Sequence, residues 1–250
     1  ENDDSLTISM WVKPESFTSN STNTFFLGQD NCSSGDTRIY LANENGSLAF
    51  GLTTDSGWHE WDLSYDMNLL LNSWNYLTFT YGSNLKKIFI NGELQGTNSS
   101  NSGDMLSCNN GNLIFGSNIS ARYYHGKMDE VAIWNDDLTS AEITAIYNSG
   151  VALDAKSNSG DYASSANLKG YWKMEEGTGT TLTDLSGYGN NGTISGATWA
   201  TGKKSSSYTN TALDLTAPTM TITATDGSKA VSDGATTNDA TLTVTFTSSK

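Results

Sequence analysis

The chain is 250 residues long, and its 27 acidic against 13 basic residues give a formal net charge of −14, although only 16% of residues are charged. So negative a surface repels phosphate backbones, which argues against nucleic acid as a partner, and no apolar run approaches the roughly 18 residues that a membrane span requires. The length suits one large sandwich or two smaller domains.

The chain opens on Glu1 inside a polar run just ahead of a strand, which reads as a fragment of a longer protein, so the want of a leader carries no weight. Leu6–Val12 alternates as a strand should, and Thr24–Leu27, Arg38–Ala42 and Ser47–Leu52 follow, the last two joined by a hairpin-like Asn43-Glu44-Asn45-Gly46 turn. Trp58–Leu63, Trp74–Tyr81 and Lys86–Ile90 come next, then the turn dipeptide Asn91-Gly92, then Asn112–Phe115 and Lys127–Trp134. Many short strands between Gly, Asn and Ser turns predict an all-β fold of two packed antiparallel sheets, a sandwich or jelly roll. One short helix is expected. Thr139-Ser140-Ala141-Glu142 has capping-box spacing, Ile143, Ile146 and Tyr147 give an apolar face, and Gly150 stops it.

Residues 151–167 lose the pattern and read as a connector. Residues 168–215 resume with a strand at Leu168–Met174 and a Gly/Asn-rich loop from Asp184 to Gly192. From Pro218 the texture turns Thr-rich, and Thr219–Thr225 and Ala240–Thr247 resemble the first strands of an immunoglobulin-like domain that would be cut short at Lys250. Cys32 and Cys108 both sit in polar, turn-like contexts ahead of strands and suit one structural disulfide in an oxidising compartment, the alternative being two free thiols.

The run Gly126-Lys127-Met128-Asp129-Glu130-Val131-Ala132-Ile133-Trp134-Asn135, with Leu138-Thr139-Ser140-Ala141-Glu142-Ile143, resembles the closing signature of bacterial laminin-G-like, concanavalin A-like domains. Trp74-Asn75-Tyr76-Leu77-Thr78-Phe79-Thr80-Tyr81 with Ile88-Phe89-Ile90-Asn91-Gly92 resembles the middle signature, and Ile8-Ser9-Met10-Trp11-Val12-Lys13-Pro14 an early strand. Gly170 to Thr180, continuing through Asp184-Leu185-Ser186-Gly187-Tyr188 to Trp199, resembles the family's opening, which residues 1–150 lack. About 48 residues cannot bury a sandwich core alone. We therefore expect residues 168–215 to complete the sandwich of residues 1–150 in a permuted order, with the Tyr171–Met174 strand near Val131–Trp134; the competing account is a truncated second domain, against which the immunoglobulin-like strands from Pro218 argue.

The resemblance implies an extracellular or cell-surface module and a structural Ca²⁺ held by Asp129 and Asp184, with carbonyl oxygens from the loop around Asn190. Strand alternation places Asp129 on the face of Val131 and Ile133, where a carboxylate needs donors or a cation. The alternative is that Asp184 caps its own turn and Asp129 accepts amide hydrogen bonds. Trp58, Trp61, Tyr123 and His125 are the candidate sugar-contacting residues, since flat aromatic faces beside polar groups suit glycans. Trp58 and Trp61 differ in strand parity, so at most one points into a given face. Catalysis lacks support: His59 and His125 have no nucleophile motif, and Glu175-Glu176, adjacent on a strand, cannot flank one bond. The expected function is a non-catalytic module of a modular surface protein that recognises glycans and contacts neighbouring domains; the rival is a structural spacer with no ligand.

Overall fold

The computed structural model describes residues 5–17, 23–29, 39–100, 103–106, 111–117, 122–203, 220–226, 229–231 and 242–248. Cys32 and Cys108, and with them the expected disulfide, lie outside the described residues. Two compact units divide the chain, Glu1–Ser207 and Tyr208–Lys250.

In the first unit the alternating runs form β1 (Leu6–Ser16), β2 (Thr24–Gln29), β3 (Ile39–Glu44), β4 (Ser47–Thr54) and β5 (Gly57–Leu63). Next come β6 (Asn75–Gly82), β7 (Leu85–Ile90), β8 (Glu93–Asn98), β9 (Leu113–Phe115), β10 (His125–Trp134) and helix α1 (Ser140–Tyr147). After the helix follow β11 (Leu168–Trp172), β12 (Thr181–Leu182) and β13 (Gly192–Thr193). β8 was not expected, because Glu93–Asn98 is a polar, mostly exposed edge strand with no apolar alternation to betray it. The second unit holds a three-stranded antiparallel sheet of Met220–Asp226 (β14), Lys229–Val231 (β15) and Leu242–Ser248 (β16), ordered β15-β14-β16.

A six-stranded sheet, β11-β10-β1-β6-β7-β8, packs on a five-stranded sheet, β5-β4-β3-β2-β9, as an antiparallel jelly-roll sandwich. Ile8, Met10, Val12, Leu77, Phe79, Ile88 and Val131 from the first sheet meet Phe26, Leu41, Leu48, Phe50 and Leu52 from the second. The opposite residues of the six-stranded sheet are just as apolar: Trp11, Tyr76, Phe89, Ala132 and Trp134 form a second core. Helix α1 covers it with Ile143 and Ile146, held at its start by the capping box of Thr139 and Glu142.

Residues 151–167 are more than a connector. Ala152, Ala155 and Tyr162 are buried in this second core, and the Tyr162 hydroxyl donates to the Ala155 carbonyl (2.6 Å) and accepts the Trp134 indole N–H (2.9 Å). The segment is polar overall, which hid its role, but its few apolar side chains close a face that would otherwise leave Trp11 and Trp134 in water.

β11 forms an antiparallel edge on β10, with Val131 opposite Trp172, Ala132 opposite Tyr171 and Trp134 opposite Leu168. Trp172 is 6% exposed and meets the Phe115 ring at 4.9 Å, edge to face. Trp199 is half-buried against the same core, its indole N–H on the Gly179 carbonyl (2.8 Å). Trp172→Ala should therefore destabilise the first unit by about 3–5 kcal/mol, whereas Tyr188→Ala, at a residue 59% exposed, should change it by about 1 kcal/mol or less. Urea unfolding of both variants checks this; equal, small effects would mean that β11 is not part of the cooperative core.

Candidate functional site

Among the described residues the outer face of the five-stranded sheet carries the exposed side chains of β5 beside a small buried cluster of Phe25, Tyr40, Ala42 and Ala49. β5 reads Gly57-Trp58-His59-Glu60-Trp61-Asp62-Leu63, and its burial alternates strictly: Trp58, Glu60 and Asp62 are exposed, His59, Trp61 and Leu63 half-buried. Trp58, Glu60 and Asp62 therefore share the outer face. Beside them on β4 lie Thr53, Gly51 and Ala49, and beyond those on β3 lie Tyr40 and Ala42. The small residues make a floor on which rings can lie. A Cβ on Gly51 would stand 2.5 Å from the Trp58 ring and 2.7 Å from the Tyr40 ring.

Across that floor three rings follow one another. Trp58 and Tyr40 have centroids 5.3 Å apart, tilted by 39°, and Tyr40 and Phe25 are 5.1 Å apart, edge to face. The Arg122 guanidinium ends the row 5.8 Å from the Phe25 ring. Trp58, at the sheet edge, is 40% exposed, while Tyr40 and Phe25 are nearly buried.

Three carboxylates flank the rings. Glu44, Glu60 and Asp62 bring one oxygen each within 4.8 Å of the others, and among the described residues they are the group that could share one hard cation. Glu44 accepts the Tyr40 hydroxyl (2.9 Å) and the Asn23 side-chain amide. Burial, then the neighbouring Glu60 charge, pushes Asp62 up; burial and Glu60 do the same to Glu44 against the pull of its two donors. On the core side of these strands Lys86, fully buried, gives its ammonium to the carbonyls of Phe50 (3.1 Å) and His59 (2.8 Å). Burial lowers that ammonium to about 8.

The expected aromatic residues are dispersed. Trp58 lies in the row, but Trp61 points inward and packs against the core. Tyr123 is 69% exposed in the stretch leading to β10, and His125, at the start of β10, meets the Ser16 hydroxyl at 2.7 Å on the edge of the other sheet. Tyr40, Phe25, Arg122 and the three acids were missed. The alternation Trp58-x-Glu60-x-Asp62 is the signal for two of them, Glu60 and Asp62; the partners from β2 and β3 depend on cross-strand register, which one strand's sequence does not contain.

The expected calcium pair is not assembled either. Asp129 does not share the face of Val131, because β10 bulges: Ser9 opposes Ala132 while Trp11 opposes Asp129, and Glu130 takes up the surplus residue at φ +50°. Asp129 thus faces the second core, buried, and accepts the amides of Glu130 (3.2 Å) and Lys203. It lines a cavity of about 240 Å³ with Met174, Glu175, Trp199 and Lys203, a cavity that Asp184 does not reach. Asp184 instead clasps its own loop. Its Oδ1 accepts the amides of Tyr171 (3.0 Å) and Ser186 (2.9 Å), and its Oδ2 the Ser186 hydroxyl (2.8 Å) and the Asn190 amide (2.9 Å). Burial raises this carboxyl, but those bonds outweigh it and hold it below the usual range. The Asn190 carbonyl accepts the Trp172 indole N–H, and its side-chain amide donates to the Lys169 carbonyl. A carboxylate whose lone pairs all meet N–H and O–H donors does not fit a shared cation.

His59 Nε2 meets the hydroxyls of Ser56 (2.9 Å) and Thr54 (3.1 Å) in the β4–β5 turn, and Glu176 accepts the Thr183 amide (2.7 Å).

A family model described as the concanavalin A-like lectin/glucanases superfamily matches residues 1–144. No curated protein matches the chain. Among solved structures it is similar to a candidate carbohydrate binding protein from Bacteroides ovatus, at 20% identity and TM-score 0.56, over 77% of this chain and 52% of that one. It is also similar to domain 4 of AbnA, a GH43 extracellular arabinanase from Geobacillus stearothermophilus, at 23% identity and TM-score 0.45, over 58% and 66%. A third likeness is to the botulinum neurotoxin serotype D binding domain, at 18% identity and TM-score 0.47, over 59% and 36%. The chain spans about half the length of the first of these. The first of these likenesses, at 20% identity, shows the fold alone.

Two outcomes are expected. Gly51→Ala should push the Trp58 ring off the floor, shifting tryptophan fluorescence to the red with unchanged far-ultraviolet circular dichroism; an unshifted spectrum would mean that the ring does not rest there. Burial pushes the Asp129 and Glu130 carboxyls up to about 7 and about 8. The folded chain then keeps protons that the unfolded chain has lost, so their contribution to stability is complete below about pH 4 and declines as pH rises through those values. Tm should fall between pH 5 and pH 8, and fall less in Glu130→Gln.

Proposed function

The chain belongs to the concanavalin A-like lectin/glucanases superfamily, and on that premise we propose that its first unit is a non-catalytic glycan-binding module of an extracellular, modular surface protein. The binding face is the outer surface of the five-stranded sheet. One observation carries the reading: the row Trp58–Tyr40–Phe25, laid over Gly51, Ala49 and Ala42, runs beside Glu44, Glu60 and Asp62. Sugar rings offer apolar C–H faces that stack on aromatic rings and hydroxyls that donate to carboxylates, and the exposed Trp58, Glu60 and Asp62 present both, with Tyr40 and Phe25 buried behind Trp58 as its support. The second unit is read as the first strands of an immunoglobulin-like neighbour. A ligand-free spacer has no use for a tryptophan 40% exposed at the edge of such an arrangement.

Three acids beside the rings also set a charge preference. Neutral or amino sugars meet complementary acceptors, whereas sialylated, uronic or sulfated sugars meet like charge. A glycan array on the isolated first unit should show neutral oligosaccharides bound and acidic ones not. Trp58→Ala should weaken the best hit roughly tenfold, the worth of one stacked ring. An array with no hits returns the spacer reading, and an unaffected Trp58→Ala variant moves the site elsewhere.

A further inference from the structure

The cavity beside Asp129, which Asp184 does not reach, has a chemistry of its own. Its volume is about 240 Å³, below the roughly 300–1,000 Å³ that drug-sized ligands occupy, so it suits a molecule of about one sugar ring or smaller. Asp129 lines it and is 2% exposed. The amides of Glu130 and Lys203 take two of the roughly four acceptor positions of that carboxylate and leave the rest to spare. The ion pairs among the described residues, Lys87–Asp137 and Lys173–Asp154, leave Asp129 out.

The backbone around Asp129 keeps the space open. Gly202 passes so close that a Cβ there would collide with Asp129 Oδ2. Met174, also in the lining, holds φ +57°, a left-handed conformation that residues with a Cβ rarely adopt and that gathers at ligand clamps. Trp199 gives a flat wall, half-buried, its indole N–H fixed on the Gly179 carbonyl (2.8 Å).

Charge decides what such a space takes. Two acids, Asp129 and Glu175, line it against one base, Lys203. The Lys203 ammonium is already committed, 4.6 Å over the Trp11 ring. Lys173, whose charge also bears on Asp129, is paired with Asp154 at 3.5 Å. An acidic ligand would meet like charge, and a neutral one would leave Asp129 buried without a counter-charge. A ligand with one ammonium balances the site, donates charge-assisted hydrogen bonds to Asp129, and has apolar walls in Trp199 and Met174 for the rest of its length.

We propose that this cavity is a second binding site of the first unit, for a small primary amine whose ammonium meets Asp129 and whose alkyl part lies against Trp199. It requires no glycan and is independent of the face on the five-stranded sheet.

Nuclear magnetic resonance of the full chain, labelled with nitrogen-15, tests it at pH 8, where the Asp129 carboxyl, which burial raises to about 7, is mostly ionised. Titration with n-butylammonium chloride should shift the Trp199 indole N–H and the Gly202 amide saturably; n-butanol, of the same shape without the charge, should not. Asp129→Asn should weaken the n-butylammonium response roughly tenfold or more, the worth of a hydrogen bond to a charged group. Trp58→Ala should leave that response unchanged, so the glycan reading and this one fail separately. Equal shifts from n-butanol, no shift from n-butylammonium, or a response that calcium chloride alone elicits would each overturn the proposal. Should Asp129→Asn fail to fold, the wild-type contrast between amine and alcohol decides.

Discussion

The six-stranded sheet must be covered on both faces. Its inward residues make the sandwich core, but its outward residues include Trp11, Tyr76, Phe89 and Trp134, and leaving such rings in water forfeits roughly 1.5–3 kcal/mol per large side chain. Helix α1 and residues 151–167 exist in their observed places because of that demand. The result is three layers, and only the five-stranded sheet keeps an outer face free of a covering layer from this segment. The location of the candidate site therefore follows from where apolar side chains ran in the other sheet.

The same demand accounts for the return of the chain to β10. Tyr171 on the new edge strand is buried in the second core, and Trp172, its neighbour, enters the first. One five-residue strand thus supplies a ring to each core, as period-two alternation requires. Its attachment is polar as well as apolar. Asp184 receives the Tyr171 amide, Asn190 receives the Trp172 indole, and the Tyr171 hydroxyl meets Glu130. An acidic loop that resembles a cation site is here a clasp, satisfied by the backbone it holds.

Alternation made most strands legible in the sequence, and capping chemistry made the helix legible; both are local signals that the neighbouring residues alone generate. What depended on register or on a bulge was not. Asp129 was assigned to the wrong face because one extra residue, Glu130, inverts parity over the start of β10. The ring row was half visible in β5, where Trp58, Glu60 and Asp62 alternate, but Tyr40 and Phe25 join it only through pairing with β4 and β2. Residues 151–167 misled for a different reason: a thin scatter of Ala, Leu and Tyr has no period, yet suffices when the sheet beneath supplies the large side chains.

A binding face on an edge strand has to be held still, since each side chain ordered on binding costs about 0.5–1.5 kcal/mol of affinity. Among the described residues β5 pairs only with β4, so its outer side chains would be loosely placed if pairing were all that held it. Lys86 supplies the rest from the opposite sheet. Its ammonium bonds carbonyls of both β4 and β5, Phe50 and His59, and lies 4.9 Å over the Phe50 ring. A charge buried at 0% exposure is tolerated because those carbonyls accept it and the Glu60 charge favours its protonated form. Glu60 on the outer face thus favours the charged form of the lysine beneath it. The exposed charges also blunt an edge that would otherwise invite another strand. The negative charge that argues against nucleic acid is, on this strand, the chemistry of the proposed binding face, in Glu60 the counter-charge of the core lysine, and a guard against edge-to-edge pairing.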